Sequence, residues 1–340
     1  MTSPGGVAAV IGAGSWGTAL AIQLARRGMA VRLWARDPAS ARAIGSARQN
    51  RRYLAGAQLP DGVLVTAEHA EALDGSGLVI VAVPSHFLRG VVQPMAAAVP
   101  SGAVLLSATK GFEPSSALRM SQVIGQVAPG RPVAVLSGPS FAREVAAGLP
   151  TALVVASADA GVARDLQERL SAPAFRVYTN RDVVGVETGG ALKNVMAIAT
   201  GLSDGLGLGE NARAALITRG LAETGRLALA LGGQPATLAG LAGLGDLVLT
   251  CTGTQSRNHR LGLAVATGQT LARAEASTPM VAEGVRTVSS ALILAGRAGV
   301  SLPICEEVSA VLFCQKPVKE ALASLLAREP RPEEEPAARA

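Results

Sequence analysis

One lysine in the second half of the chain stands in surroundings that suit proton transfer. Lys193 lies in Ala191-Leu192-Lys193-Asn194-Val195-Met196, a stretch with the apolar character of a buried helix. On that helix, the positions three and four residues away hold two glycines, a methionine and an alanine, and no carboxylate. Removal from water lowers the pKa of an ammonium group and suits it to general acid/base catalysis. The alternative is a lysine whose long side chain reaches the surface.

A second polar group, Ser256-Arg257-Asn258, directly precedes a segment with helical periodicity. A hydroxyl, a guanidinium and an amide beside the free N–H groups of a helix N-terminus form a receptor for an anion. Ser256 equally suits a helix N-cap, with Arg257 on the surface. Asp246, in Gly243-Leu244-Gly245-Asp246, also begins a helical segment and is either a site residue or an N-cap.

Two further groups follow predicted strands. Lys110 comes after Val104–Ala108, and ligands of open α/β sheets bind outside the carboxyl ends of such strands. A solvated loop lysine is the alternative. The strand Val133–Leu136 ends in Ser137-Gly138-Pro139-Ser140-Phe141-Ala142, whose small residues leave room for a substrate against the backbone.

Glu283 lies in the predicted loop Pro279–Gly284. From there a carboxylate can reach a cofactor's carboxamide or ribose, or simply be solvated. The histidines are His69, His86 and His259, and their spacing matches neither a metal site nor a Ser-His-Asp triad. The sequence therefore predicts no metal ion.

The glycines of the first predicted turn indicate the kind of ligand that binds beside the lysines and polar residues. An apolar run, Val7–Ile11, stops at Gly12, and Gly14 and Gly17 follow before a helical segment. In a strand–turn–helix, G-x-G-x-x-G supplies the sharp turn, the close approach to a pyrophosphate and the close helix–strand packing. We predict dinucleotide binding here; a purely structural glycine turn is the alternative.

The end of the second predicted strand bears on which dinucleotide is bound. Arg36 and Asp37 follow Ala30–Ala35. A carboxylate at this place accepts from the ribose hydroxyls of NAD, whereas an arginine accommodates the 2′-phosphate of NADP. We favour NADP over NAD, because Asp37 precedes Pro38 and can serve as a helix cap. A solvated Arg-Asp turn is the alternative.

The elements that position these residues change character at residue 182. Strand patterns alternate with helices before it, and only helical periodicity follows, which predicts an α/β Rossmann domain (doubly wound, mostly parallel sheet) at 1–181 and an all-α domain at 182–327. Residues 328–340, rich in Pro, Glu, Ala and Arg, are predicted to be a disordered tail. The other predicted strands are Val63–Thr66, Leu78–Val83, Ala152–Ala156 and Phe175–Tyr178, and the predicted helices of the second half are Val183–Leu202, Asn211–Leu231, Arg257–Thr267, Thr287–Ala298 and Cys305–Leu312.

Composition limits the class of protein. The chain has 340 residues, 49% of them hydrophobic and only 16% charged, so it can bury a large core. With 3% aromatic residues and scattered basic residues behind a net charge of +6, an anionic small ligand is favoured over nucleic acid. No signal peptide and no apolar run near the ~18 residues of a spanning helix are recognised. The 3 cysteines lack paired spacing, which favours free thiols in a reducing cytoplasm.

Together these motifs resemble the bacterial NAD(P)-dependent glycerol-3-phosphate dehydrogenases, from about Val7 to Leu325. The resemblance is carried by ordered blocks: Gly12-Ala13-Gly14-Ser15-Trp16-Gly17-Thr18-Ala19, Ala108-Thr109-Lys110-Gly111-Phe112-Glu113, Ser137-Gly138-Pro139-Ser140-Phe141-Ala142, Ala191-Leu192-Lys193-Asn194-Val195, 211–220, 243–246, Ser256-Arg257-Asn258, Val281-Ala282-Glu283-Gly284 and Leu302-Pro303-Ile304-Cys305. Glu210 before the 211–220 block and His259 after Ser-Arg-Asn are small departures.

The resemblance implies interconversion of dihydroxyacetone phosphate and sn-glycerol 3-phosphate in the cytoplasm, feeding phospholipid synthesis. It implies a helical domain like that of 6-phosphogluconate dehydrogenase and makes Lys193 the proton donor and acceptor. It is also compatible with a homodimer. The implied substrate positions are Lys110, Gly138, Ser140, Lys193, Asp246, Ser256, Arg257 and Asn258. The implied cofactor positions, beside Gly12, Gly14 and Gly17, are Ser15, Trp16, Arg36, Tyr53, Lys110, Ala142, Arg257, Val281 and Glu283.

The sequence is also compatible with two other functions. A ketopantoate or β-hydroxyacid dehydrogenase has a similar two-domain plan, and Ser256-Arg257-Asn258 would suit the carboxylate of its substrate. A non-catalytic cofactor-sensing module would also bind a dinucleotide, but it would not need a lysine inside an apolar helix.

Overall fold

The computed structural model describes residues 6–277, 280–329 and 332. Its first half is built on one 8-stranded sheet in the order β3-β2-β1-β4-β5-β6-β7-β8. Every neighbouring pair is parallel except β6 and β7, which are antiparallel. The strands are β1 Val7–Ile11, β2 Ala30–Trp34, β3 Val63–Thr66, β4 Ser76–Val81, β5 Val104–Ser107, β6 Val133–Ser137, β7 Thr151–Ala156 and β8 Phe175–Asn180.

The central strands are apolar on both faces because helices cover the sheet from both sides. In β4, for example, the run Leu78–Val81 is buried throughout. The helices of this half are α1 Ser15–Arg26, α2 Pro38–Ala47, α3 His69–Leu73, α4 Leu88–Val92, α5 Met120–Val127, α6 Ala142–Ala147 and α7 Ala160–Leu170. The predicted Rossmann fold, doubly wound and mostly parallel, is confirmed.

From Val183 onward the described chain is helical, as predicted. The helices are α8 Val183–Gly205, α9 Gly209–Ala230, α10 Pro235–Leu238, α11 Asp246–Thr252, α12 Arg257–Ala266, α13 Leu271–Ala276, α14 Glu283–Ala298, α15 Pro303–Phe313 and α16 Val318–Leu326. Helix α8 is the central, buried helix of this half. It is buried from Gly185 to Ser203 and is packed against α9, α11, α12 and α14.

Helix α8 also connects the two halves. Asp182 caps its N-terminus, accepting from Gly185 N at 2.8 Å. One turn further on, the buried Glu187 accepts from Arg119 Nη1 at 2.7 Å and from the backbone N–H of Ser121 at 2.8 Å, where α5 begins. Charge-assisted bonds of this kind fix the start of α8 against the sheet region.

Several predicted boundaries were wrong. Helix α14 begins at Glu283 and not at Thr287, so part of the predicted loop Pro279–Gly284 is helical; Thr278 and Pro279 lie outside the described residues. The short helices α4, α5, α6, α10, α13 and α16 were not predicted, because their few turns, several with glycines and small residues, show little periodicity.

One stretch is apolar on average over the length of a membrane span, although Asp246 interrupts it, so the expectation of no uninterrupted apolar run is not contradicted. By length and composition, Pro235–Thr252 could cross a membrane, with a mean hydropathy of 1.3. In the structure it is divided into α10, a π-helical turn (Leu241–Gly245) and α11, and it packs on α8. A core helix passes the same test of length and composition.

The predicted disordered tail lies mostly outside the described residues. Of 328–340, the structure describes Arg328, Glu329 and Pro332, all exposed, just after α16. The cysteines are free thiols, with Cys251 and Cys305 buried and Cys314 exposed.

Candidate functional site

The glycine turn between β1 and α1 has no room for side chains at two of its three glycines. Gly12 has φ +116°, and a Cβ there would lie 2.6 Å from the Ala82 carbonyl oxygen. At Gly17 a Cβ would lie 1.9 Å from the Gly12 carbonyl oxygen. Gly14 has no such neighbour within 4 Å, so its outer side is open. Tight packing inside and open space outside fit a pyrophosphate lying on this turn.

The N-terminus of α1 adds unused donors to that turn. No side chain caps α1 at Gly14, so the first-turn N–H groups face outward. The indole N–H of Trp16 is buried and has no acceptor among the described residues. Ser15 Oγ donates to the Tyr53 carbonyl at 2.7 Å, which joins the turn to the loop after α2. An N–H without an acceptor at a helix N-terminus suits a bound anion.

Arg36 and Asp37, which follow β2, make different contacts. Asp37 is the N-cap of α2, accepting from Ser40 Oγ at 2.6 Å and Ser40 N at 2.8 Å. These hydrogen bonds hold the pKa of Asp37 below its usual value. The exposed Arg36 guanidinium lies 5.6 Å from the centre of the Phe87 ring. The cap interpretation of Asp37 is confirmed, and Arg36 faces the side where β2 ends.

The central feature of the helical half is one carboxylate between two lysines. Lys193 Nζ lies 2.6 Å from Asp246 Oδ1, and Lys110 Nζ lies 2.6 Å from Asp246 Oδ2. Lys193 also donates to Thr250 Oγ1 at 2.9 Å, and Lys110 to the Gly138 carbonyl at 2.9 Å. Lys193 is 8% exposed and Asp246 0%. The snorkelling alternative for Lys193 is therefore wrong.

Burial decides the protonation of this cluster. Loss of water around Lys193 lowers its pKa to about 7, although the Asp246 carboxylate opposes the shift; repulsion from Lys110 adds to it. With both lysines charged, the cluster carries a net positive charge. A pKa of about 7 for Lys193 is one that suits a general acid/base at neutral pH.

Asp246 reaches the lysines through the π-helical turn Leu241–Gly245. A Cβ at Gly243 would lie 2.1 Å from the Leu238 carbonyl oxygen, and one at Gly189 would lie 2.7 Å from the Ala242 carbonyl oxygen. Gly189 therefore lets the turn press against α8, and Gly243 lets the turn fold closely onto the end of α10. Asp246 is the first residue of α11 and its carboxylate points to the lysines, so its interpretation as an N-cap was wrong.

Ser256, Arg257 and Asn258 form the first turn of α12 and its cap. Ser256 Oγ accepts from the His259 N–H at 3.2 Å, so Ser256 is the N-cap. Asn258 is buried: its Nδ2 donates to Asn194 Oδ1 at 2.9 Å, and its Oδ1 accepts from Gly284 N at 3.0 Å. One Nδ2 hydrogen stays available for a ligand. Arg257 is exposed and lines a cavity between the two halves, so its exposure does not decide between the receptor and surface interpretations.

Helix α12 is held against α8 by glycines. A Cβ at Gly201 would lie 2.1 Å from the His259 carbonyl oxygen, and one at Gly262 would lie 2.2 Å from the Ile198 carbonyl oxygen. At the end of this seam, His259 Nε2 lies 2.6 Å from Asp204 Oδ2. The close packing fixes Ser256, Arg257 and Asn258 relative to Lys193.

Glu283 is at the start of α14 and bonds to the sheet region. Its Oε2 accepts from Ser85 Oγ at 2.9 Å, and withdrawal from water raises the pKa of Glu283 to about 7 against the opposing effects of Ser85 and Arg257. A cavity of about 280 Å³ opens beside it, lined by His86 of the sheet region and by residues of α12, α13, α14 and the 280–282 segment, Arg257 included. The cavity thus joins the two halves near the anion receptor.

The small residues after β6 lie close to the lysine cluster. Gly138, with φ +124°, offers its carbonyl to both Lys110 Nζ and Ser140 Oγ, the latter at 3.1 Å. Ala142 begins α6. The structure thus brings Lys110, Gly138, Asp246 and Lys193 into one cluster, with Ser140 attached through Gly138.

Sequence reasoning missed two polar partners of this site, Thr250 and Asn194. Thr250 lies one turn after Asp246 on α11, so it shares a face with that carboxylate, and this spacing was the available signal. Asn194 follows Lys193 and was noted only as a neighbour; its bond to Asn258 depends on a partner 64 residues away. Within the described residues, no group of three or more His, Cys, Asp or Glu could hold a metal ion.

Comparison with known proteins places this geometry in a family. Residues 7–163 match the model of the NAD-dependent glycerol-3-phosphate dehydrogenase N-terminus, and residues 182–323 match that of the C-terminus. A relative from Geobacter metallireducens named glycerol-3-phosphate dehydrogenase [NAD(P)+] is 51% identical over 328 residues, covering 95% of this chain and 98% of its own.

Solved structures agree with the sequence comparisons. A glycerol-3-phosphate dehydrogenase from Coxiella burnetii has a TM-score of 0.92 and 41% identity, with 95% of this chain and 99% of that chain covered. A ketopantoate reductase from Ralstonia eutropha has a TM-score of 0.61 and 17% identity, with 93% and 99% covered, and shares only the fold. The chain belongs to the NAD-dependent glycerol-3-phosphate dehydrogenase family.

Proposed function

We propose that this chain interconverts dihydroxyacetone phosphate and sn-glycerol 3-phosphate with NADP or NAD. The observation that carries the proposal is the buried cluster in which Asp246 lies 2.6 Å from both Lys193 Nζ and Lys110 Nζ. A phosphorylated ketone needs a proton donor at its carbonyl and cations for its phosphate. The cluster supplies the donor together with net positive charge.

The proton moves at Lys193 Nζ. In the direction of ketone reduction, the protonated amine donates to the carbonyl oxygen; in the reverse direction, the neutral amine takes the proton of the C2 hydroxyl. A pKa of about 7 keeps both forms accessible at neutral pH. Asp246 and Thr250 orient Nζ through their hydrogen bonds of 2.6 and 2.9 Å.

The nicotinamide dinucleotide supplies the hydride when bound. Gly12, Gly14 and Gly17 with Ser15 and Trp16 would hold its pyrophosphate, since the open outer side of Gly14 and the unused Trp16 N–H suit such a group. The remaining proposed cofactor contacts are Arg36, Tyr53, Lys110, Ala142, Arg257, Val281 and Glu283. We favour NADP because Asp37 is engaged as a cap while Arg36 is exposed.

The substrate phosphate is proposed to lie at the start of α12. Arg257, the remaining Asn258 hydrogen and the free N–H groups of the helix offer donors there. Ser256 can donate its hydroxyl hydrogen while accepting from His259 N. Lys110, Gly138 and Ser140 would complete the substrate site from the sheet region.

Membership of the family supports a proposed cellular setting. We propose a cytoplasmic enzyme that supplies glycerol 3-phosphate for phospholipid synthesis. It acts without nucleic acid, has no integral membrane segment and can form a homodimer. Its proposed domains are 1–181, which binds the dinucleotide, and 182–327, which carries Lys193.

The proposal is tested by steady-state turnover of dihydroxyacetone phosphate and of ketopantoate, each with NADPH and with NADH. We expect oxidation of the cofactor with dihydroxyacetone phosphate and a preference for NADPH. A preference for ketopantoate would replace the proposed substrate with a carboxylate, and cofactor binding without turnover of either ketone would favour the non-catalytic sensing module.

A further inference from the structure

Glu283 is joined to the segment that carries Lys110. Its Oε2 accepts from Ser85 Oγ at 2.9 Å. A Cβ at Gly111, the residue after Lys110, would lie 2.8 Å from the same Ser85 oxygen. Ser85 therefore connects Glu283 of the helical half to the chain beside Lys110 in the sheet region.

The segment that carries Lys193 is also close to Glu283. A Cβ at Gly284 would lie 2.5 Å from the carbonyl oxygen of Asn194, the residue after Lys193. The Gly284 N–H donates to Asn258 Oδ1 at 3.0 Å, and the Asn258 side chain bonds to that of Asn194. The start of α14 is therefore packed beside the chain segments of both lysines.

The order of the strands indicates which end of a dinucleotide would reach Glu283. The glycine turn follows β1, and β2 and β4 flank β1 on opposite sides. A dinucleotide with its pyrophosphate on that turn extends along the carboxyl ends of the strands in both directions. Arg36, proposed at the adenosine end, follows β2, so the nicotinamide end would extend toward β4, which Ser85 follows. Glu283 is bonded to Ser85 on that side.

The charges on that side are mainly positive. Lys110 and Lys193 share the carboxylate of Asp246, and the Arg257 guanidinium of α12 acts electrostatically on Glu283. Glu283 is partly buried, and its Oε1 accepts no hydrogen bond from any residue that the structure describes. Unlike Asp246, it forms no ion pair with a lysine in the described part of the chain.

The oxidised and reduced forms of a nicotinamide dinucleotide differ in the charge of one ring. The oxidised ring carries a positive charge and the reduced ring is neutral, while the pyrophosphate, the riboses and the adenine are the same. Surroundings made only of cations would repel the oxidised ring and favour the reduced cofactor. A carboxylate beside the ring offsets that repulsion, by an energy that depends on distance and on the local dielectric constant.

We propose that Glu283 determines the relative affinity of the oxidised and the reduced cofactor, because its carboxylate stabilises the positive ring of the oxidised form alone. The inference rests on the proposed function, which requires a nicotinamide at this end of the sheet. Ser85 is a positioning residue in this arrangement, since its hydroxyl donates to Oε2 and fixes the carboxylate beside β4. Protonation of Glu283 removes the charge and, with it, the preference.

Glu283 changes charge near neutral pH. Withdrawal from water raises its pKa to about 7, whereas the hydroxyl and the N–H of Ser85 and the charge of Arg257 act to lower it. The carboxylate is therefore present above about pH 7 and is lost below it. The oxidised cofactor should bind more weakly as pH falls through that value, and the reduced cofactor should not.

Other groups around Glu283 bear on the same pH range. Lys193 of α8 has a pKa of about 7 as well, so its positive charge grows as pH falls and also repels the oxidised ring. Burial and the charge of Arg286 of α14 lower the pKa of His86, so this imidazole is neutral at pH 7. A test in solution must therefore separate Glu283 from Lys193.

The first test measures dissociation constants and not turnover. NADH binding is followed by its fluorescence, and NAD⁺ binding by displacement of NADH, at about pH 8. The pair without a 2′-phosphate is used because a phosphate monoester itself titrates near pH 6. Glu283→Gln should raise the Kd of NAD⁺ about tenfold, the scale of one partly screened charge pair, and change that of NADH by less than about twofold. Retained NADH binding also shows that the variant is folded.

Glu275→Gln is the matched control. Glu275 of α13 lines the cavity beside Glu283, and it pairs with Arg286 at 3.8 Å. The same charge is removed there, so any change in affinity should be equal for the two cofactors, whose pyrophosphates are identical.

The second test separates the two titrating groups. In Lys193→Ala, the Kd of NAD⁺ should still rise severalfold between about pH 8 and about pH 6, while the Kd of NADH stays constant. Combining Lys193→Ala with Glu283→Gln should abolish the rise. Adding Ser85→Ala to Lys193→Ala should move the midpoint to higher pH, because the Ser85 hydroxyl lowers the pKa of Glu283.

The outcomes distinguish this inference from the proposed function. Equal weakening of NAD⁺ and NADH by Glu283→Gln would overturn the inference alone, since the side chain would then serve both forms of the ring alike. A pH dependence of NAD⁺ affinity that survives without Lys193 and Glu283 would assign the charge to another group. Absence of binding of either cofactor to the wild type would overturn the proposed function itself.

Discussion

The glycine turn at β1 and the lysine cluster at α8 differ in how far their parts lie apart in the chain. The turn is made by Gly12, Gly14 and Gly17, whose decisive contact joins Gly17 to Gly12 itself. The cluster joins residues 53 and 136 positions apart, Lys193 and Lys110 each meeting Asp246. The geometry of a local motif can be predicted from the spacing of its residues. For a site built from residues far apart in the chain, only the residue types can be read from the sequence.

The difference extends to what each region does. The turn offers backbone N–H groups and open space, which suit the binding of a charged group. The cluster holds a lysine whose pKa lies near 7, which suits the proposed proton transfer. Changes in the first region should therefore affect binding and folding, and changes in the second should affect turnover.

The largest expected effect separates the two regions most sharply. Lys193→Ala should reduce kcat by about 10²–10⁴-fold, the usual contribution of a general acid/base. NADPH affinity should stay unchanged, because Lys193 lies outside the glycine turn; titration of bound NADPH fluorescence checks this. Turnover near the wild-type rate would remove the proton-transfer role.

Next comes the pair Gly17→Ala and Gly14→Ala in the turn. At Gly17 the added methyl meets a backbone oxygen at 1.9 Å, so we expect a loss of about 3 kcal/mol of stability and of cofactor binding. At Gly14 the same methyl meets no protein atom within 4 Å, so Tm should hold while the affinity for NADPH falls. Thermal unfolding and NADPH titration measure both; equal Tm losses would contradict the open space at Gly14.

Removing the shared carboxylate tests the electrostatics of the cluster. The Asp246 carboxylate raises the pKa of Lys193, which burial lowers to about 7, so Asp246→Asn should move that pKa lower still. In the wild type, kcat/KM for ketone reduction should fall as pH rises through about 7, because the proton donor is lost; alcohol oxidation should rise over the same range.

The measurement is the pH profile of kcat/KM in both directions for the two proteins. In Asp246→Asn both midpoints should lie at lower pH than in the wild type, besides the loss of rate. A midpoint that stays in place would mean that another group controls the proton. Leu244→Ala, an exposed position two residues earlier, is the matched control.

The smallest effect concerns cofactor choice. Arg36→Ala should weaken NADPH about tenfold, the scale of one charge-assisted hydrogen bond, and leave NADH unchanged. The dissociation constants of the two cofactors decide this. Equal losses for both would show that Arg36 supports the fold near Phe87 and does not contact a 2′-phosphate.

Much of the fold could be predicted because its signals are local. The apolar run in β4 and the glycines after β1 each specify their own conformation. Helix α9, predicted as Asn211–Leu231, lies at Gly209–Ala230, so its periodicity placed both ends within two residues.

The rest could not be predicted because tertiary contacts decide it. Asp246 begins a helix and so looks like a cap, and only the approach of the π-helical turn to Gly189 turns it toward Lys193. Asn258 looks like a free anion ligand, yet its amide joins α8 to α14. Glu283 looks like a loop residue, but helix α14 begins there.

The sharing of Asp246 by lysines from both halves bears on how the protein unfolds. Opening the sheet region alone would take Lys110 away, and opening the helical region alone would take Asp246 away from Lys110. Either event parts Lys110 from Asp246, which keeps Lys193 as its partner, and also parts Arg119 from the buried Glu187. A buried charge without its partner typically costs about 3–5 kcal/mol. Partly open states are therefore penalised, and the two halves should melt in a single cooperative transition.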